Sequence, residues 1–138
     1  MPRFMMLMYP NVTEAQYEEG VRAEDAGAMS KFNQTLIQAG VLLALDGLHP
    51  ASKGARVTLA GGKPTITDGP FTEAKELVGG YWIIQARSKE EAVEWAARAP
   101  VGDGTIEVRQ IADGSDYSPD VEAASKLSQD PPEQSRET

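Results

Sequence analysis

His49, the only histidine of the chain, sits in "DGLHPASKG", and Asp68 heads the later stretch "TDGPF". An imidazole titrates near neutral pH and serves as a general base. A carboxylate can orient it, or can itself take up a proton when burial raises its pKa. Together they are the catalytic acid–base pair that the sequence offers. Each residue also has a plain structural reading. Pro50 holds His49 extended in a loop, where a ring nitrogen can simply bond backbone. Asp68 can accept backbone N–H bonds from two or three residues ahead, as in an Asx-turn or helix cap. Gly69 can take a positive φ, Pro70 restricts φ and Phe71 can plug a core, so the four residues also suit a tight corner. Glu73 and Glu76 form a weaker carboxylate pair in the turn that follows, and a solvated face explains them as well.

Strand parity supplies a second set. In "TIEVRQI" (105–111), Ile106 and Val108 share one face while Glu107, Arg109 and Ile111 share the other. In "GYWIIQA" (80–86), Tyr81 and Trp82 point to opposite faces, and parity alone leaves open which of them meets a cleft. Arg109 holding an anionic group, Glu107 beside it and Tyr81 or Trp82 as a stacking wall would suit a small polar organic ligand. Core packing and an ion pair across the sheet account for the same residues.

Other chemistries are closed by composition. The chain has no cysteine, so it has no disulfide, thiolate nucleophile or Cys-based zinc site. The glycine pairs at 61–62 and 79–80 are turn signals and no phosphate-binding loop, and no G-x-S-x-G elbow occurs. No cofactor and no metal are expected. The net charge of −8 argues against nucleic acid, because phosphate binding wants a basic patch. Residues 113–138 hold seven of the acids against Lys126 and Arg136, so the body of the chain is only mildly acidic. No apolar run approaches the roughly 18 residues of a membrane span, and the first residues lack a long apolar region and a cleavage site. A cytoplasmic protein without membrane contact is the expectation.

These residues must be held by elements legible in the pattern. "RFMMLMY" (3–9) is apolar on both faces and reads as a central strand. Thr13 caps a short helix, and Gly20 and Gly27 interrupt the pattern before a longer one with Ala28, Phe32, Thr35, Leu36 and Ala39 on one face. Gly40 closes it. "VLLAL" (41–45) is a strand, and "ARVTLAGGKPTIT" (55–67) is a hairpin about Gly61–Gly62. After the strand at 80–86, Ser88 and Glu91 form a capping box for a helix that lays Ala92, Trp95, Ala96 and Ala99 along one side up to Pro100. The order is β-α-β-(hairpin)-β-α-β, an α+β, ferredoxin-like plan with helices on one face of an antiparallel sheet. The uncovered face predicts a homodimer. Residues 1–112 form the domain, and 113–138 read as an acidic flexible tail or an arm on a partner subunit.

The segment from "GLHP" through "TDGPF-x-E-x-KE", the strand "GYW", "SKEEAVEWA" and the closing "IEVRQI" resembles the YCII-related, or DGPF-domain, family across most of residues 3–112. The resemblance implies a ferredoxin-like fold assembled as a dimeric α/β barrel. It also implies a small-molecule enzyme with a histidine–aspartate pair in a cleft at the dimer edge, with lyase activity assigned in one branch. That branch carries its histidine early in the first helix, whereas this chain has none between Met1 and Leu48, so His49 stands elsewhere. Asp68 matches the DGPF signature directly. Association of such proteins with extracytoplasmic-function sigma factors implies the alternative of a non-enzymatic sensor or accessory protein.

Overall fold

The computed structural model describes residues 1–69, 77–121 and 123. Its four-stranded antiparallel sheet is built from β1 (Arg3–Tyr9), β2 (Leu42–Gly47), β5 (Gly80–Gln85) and β6 (Thr105–Gln110) in the order β2-β5-β1-β6. The helices are α1 (Glu14–Glu18), α2 (Ala23–Gln38) and α3 (Lys89–Ala96). β3 (Ala55–Ala60) and β4 (Lys63–Asp68) pair only with each other, as a separate two-stranded sheet. Pro70, Phe71, Glu73 and Glu76 lie outside the described residues, as does most of the acidic tail.

β1 sits inside the sheet, as its two apolar faces demand. It pairs with β5 on one side and β6 on the other, with Met6 opposite both Trp82 and Val108. Directly opposed residues share a face. Phe4, Met6, Trp82 and Ile84 therefore point together into the helix layer, where Phe32 and Leu36 of α2 and Ala92 of α3 meet them. Phe4, Met6, Leu36 and Ile84 are fully enclosed, and each such side chain contributes about 1.5–3 kcal/mol by leaving water. The opposite face carries Met5, Leu7, Tyr81 and Ile83, only half-buried, with exposed Glu107 and Arg109 along β6.

Local signals explain most element ends. Thr13 and Gln16 exchange side-chain-to-backbone bonds as a capping box. Gly20 adopts φ +88° and separates α1 from α2, whereas Gly27 is absorbed into α2, because a single interior glycine costs only about 1 kcal/mol. Of the predicted α2 stripe, Phe32 and Leu36 are buried while Ala28, Thr35 and Ala39 are exposed. Ser88 caps α3 by accepting the Glu91 N–H, but the Glu91 carboxylate accepts from the Arg87 backbone and guanidinium, one residue outside the expected box. α3 stops at Ala96, before Pro100, yet Trp95, Ala96 and Ala99 still pack on the core. Among the described residues, no helix is long and apolar enough to cross a membrane.

Candidate functional site

The loop carrying His49 follows β2 and is fastened to α1 at two points. Tyr17 donates its hydroxyl to the Leu48 carbonyl oxygen, with the Gly79 carbonyl at 3.1 Å as the alternate acceptor. Glu14 accepts the Ser52 N–H at 2.9 Å. Leu48 N–H also donates to the Gly79 oxygen at 2.9 Å, which ties the same loop to the entry of β5. Burial raises the Tyr17 pKa above the ordinary phenol value, and the neighbouring Glu14 charge adds to the rise. His49 is exposed and makes no hydrogen bond to a described residue, so the loop is fixed by its backbone and its imidazole stays available.

His49 stands at the rim of an open cleft of about 1160 Å³ at this end of the sheet. One wall is the α2 stripe that runs from Arg22 through Asp25 and Met29 to Asn33, at helical spacing. Leu45, Leu48, Trp82 and Val101 supply apolar lining to the cleft, with Glu18, Asp46, Ser52 and Lys53 among its polar members. A smaller hollow of about 340 Å³ lies between α1, the loop and residues 77–79, and both His49 and Lys53 line it as well. Arg22 pairs with Glu24 and Asp25 at 3.3 and 3.0 Å, but at 73% exposure these bonds are worth at most about 1 kcal/mol. Among the described residues, no group of acids or histidine is arranged to hold a metal ion.

The parity left open for the two aromatics is settled by the sheet. Trp82 faces the helices, with Phe32 edge-on at 5.6 Å, and donates its indole N–H to Asn33 Oδ1 at 2.8 Å. Tyr81 faces the other way and donates to Asp46 at 3.1 Å; that bond to the carboxylate raises its pKa. Both residues border the cleft, which wraps the β2–β5 edge. Glu107 accepts from Tyr9 at 3.3 Å on the open sheet face, and Arg109 lies exposed two residues along the same face. Neither lines the cleft. The sequence-derived grouping is thus divided: His49, Tyr81 and Trp82 line the cleft, whereas Glu107 and Arg109 share the outer face with Tyr81 but do not reach the cleft.

Asp68 ends β4, is exposed, and no hydrogen bond or ion pair links it to His49. Its neighbour Gly69 has a firm structural reason. The Gly69 N–H donates to the Gly54 oxygen at 2.9 Å, and a Cβ there would fall 1.7 Å from the Ala51 carbonyl oxygen. The glycine of the signature is therefore seated against the short turn that follows His49, and it joins the hairpin to the loop. Tyr17, Met29, Asn33 and Lys53 were missed in the sequence. The only available signal was the polar Asn33 beside Phe32 on a helix whose core face was already assigned.

Residues 2–115 match the YCII-related domain. The chain is also 31% identical over 87 residues to an uncharacterized protein of Rhizobium meliloti (strain 1021), a match that covers 61% of this chain and 70% of that one. A domain match over so much of the chain, on a sheet of this order, identifies it as a member of the YCII-related domain family.

Proposed function

We propose that the protein binds a small polar or aromatic organic molecule in the cleft beside α2 and that His49 is the acid–base group available to it. The observation that carries this reading is the coincidence of an apolar, Trp82-floored cleft with an unengaged imidazole held at its rim by a pinned backbone. Such a site combines apolar surface with polar groups that can orient a ligand, as ligand pockets do. Proton abstraction of the lyase type is the reaction an exposed histidine there would support. A thermal-shift screen of phenols, quinones and short organic acids tests binding, since a ligand stabilises the folded state by mass action. A hit whose affinity or turnover is unchanged in His49→Ala and in Met29→Trp, which fills the cleft, would dismiss the reading.

The strand order supports a ferredoxin-like plan, and we take the half-buried face of Met5, Leu7 and Ile83 as the surface that closes a dimeric barrel with a second copy. Glu107 and Arg109 lie side by side on that face, so a two-fold axis can bring the acid of one copy to the base of the other. The alternative, a non-enzymatic sensor or accessory protein, draws on the missing His49–Asp68 bond and uses the same cleft. Saturable binding with no turnover would select it.

A further inference from the structure

Trp82 and Asn33 form the cleft's most specific polar device. An indole N–H is a donor only, so the carboxamide facing it must present its oxygen, as it does at 2.8 Å. The opposite orientation would set two donors against each other. The Asn33 Nδ2 group is therefore turned away from Trp82, with both of its hydrogens free of described partners. No side-chain nitrogen or oxygen among the described residues is both buried and unpartnered, so this NH2 is reachable from outside. Asn33 is half-buried on the α2 stripe that walls the cleft, one turn beyond Met29, and Trp82 below it is pinned edge-on by Phe32. The amide cannot turn over without breaking the indole bond, so the NH2 group keeps its outward orientation.

We infer that Asn33 is a specificity-determining residue that selects ligands carrying an acceptor oxygen, a ketone or carboxylate, on an apolar body. This rests on the cleft being the ligand site. The apolar part lies among Met29, Leu45, Leu48 and Val101, and the oxygen accepts from Asn33 Nδ2. In register, Leu45 lies opposite Trp82, and His49 follows four residues later in the loop beyond the end of β2. The oxygen-bearing end of the ligand is bound at Asn33, and His49 lines the same cleft. A ligand without an acceptor oxygen leaves the Asn33 NH2 group unpaired.

Acetophenone and ethylbenzene test this, since they share a ring and differ by one acceptor oxygen. Each is titrated into the full 15N-labelled chain while the side-chain amide of Asn33 and the indole of Trp82 are followed by NMR. Acetophenone is expected to bind more tightly and to shift the Asn33 amide pair. Asn33→Asp keeps the acceptor for Trp82 but removes the donor, and should weaken acetophenone about tenfold while leaving ethylbenzene within about twofold. Equal wild-type affinities, or an unmoved Asn33 amide with acetophenone bound, overturn the role of Asn33 and leave the cleft reading standing. If neither compound perturbs Met29 or Trp82, the cleft reading itself fails and this inference falls with it. The wild-type amide shift decides the matter even if Asn33→Asp does not fold.

Discussion

Gly69 shows how a signature residue can be fixed by packing. A Cβ at 1.7 Å from a backbone oxygen cannot be accommodated by a side-chain rotation, so alanine must push the hairpin off the Ala51 turn. Gly69→Ala is expected to cost about 1–3 kcal/mol in a denaturant titration, as overpacking against backbone does, and to shift the His49 resonances. Tyr17 makes a second residue-scale prediction. Its folded pKa is raised, so the protonated phenol is favoured by folding. That stabilisation is complete below the ordinary phenol pKa and is lost as pH rises through the folded value. Tyr17→Phe should cost roughly 1 kcal/mol at neutral pH and remove the Tyr17 share of the alkaline loss of stability. An ultraviolet titration should find Tyr17 and Tyr81 ionising late, and Tyr17→Phe should remove one of the two. Asp68 remains a residue that the sequence singles out and the fold leaves exposed at the end of β4, with no bond to His49.

At the scale of elements, the sheet and the hairpin differ in kind. β1 is flanked by two strands and closed over by α2 and α3, whereas β3 and β4 have, among the described residues, no strand partner beyond each other. Gly61 and Gly62 both take positive φ, which a two-residue turn of the right twist requires, so the hairpin's register is set locally. Yet Val57, Leu59 and Ile66 on its apolar side are 59–75% exposed. An isolated two-stranded hairpin is marginal in water. Amides of Val57–Leu59 should therefore exchange with solvent by local opening, orders of magnitude faster than those of Met5–Leu7. Equal protection in the two groups would show that something covers the hairpin. The short α1 matters more than its five residues suggest, because Tyr17 and Glu14 make it the fastening of the His49 loop.

For the whole molecule, the unequal faces of the sheet set the expectation. One face is sealed by helices, and the other leaves Met5, Leu7 and Ile83 half open to water. Burying those side chains in a second copy stabilises association by about 25 cal/mol per Å² of apolar area. Light scattering at micromolar concentration should give twice the chain mass, and Leu7→Asp should give a folded monomer, since a buried unpaired charge costs several kcal/mol. A wild-type monomer would sink the proposed dimer. The cleft lies mainly on the helix side of the sheet and meets the outer face only at the Asp46–Tyr81 edge. Binding and dimerisation are accordingly expected to be separable by mutation: Leu7→Asp should retain cleft ligands, and Asn33→Asp should retain the dimer.

The sequence by itself determined the strands, the helices and the hairpin turn, because periodicity, caps and left-handed glycines are local properties of the chain. It also determined the family, through a long run of motif residues. Parity showed that Tyr81 and Trp82 part company, but the choice of face came only when Met6 and Val108 were set in register beside Trp82 beneath α2. The candidate site was legible at His49 and not at Tyr17 or Asn33. A polar side chain on a helix carries no sign of its partner, and the sequence separation of 49 between Asn33 and Trp82 is closed only by tertiary packing. The loops of His49 and Asp68, far apart in the sequence, meet through the Gly69 backbone and not through those side chains, because close approach of two turns is decided by backbone sterics that no residue type announces except glycine.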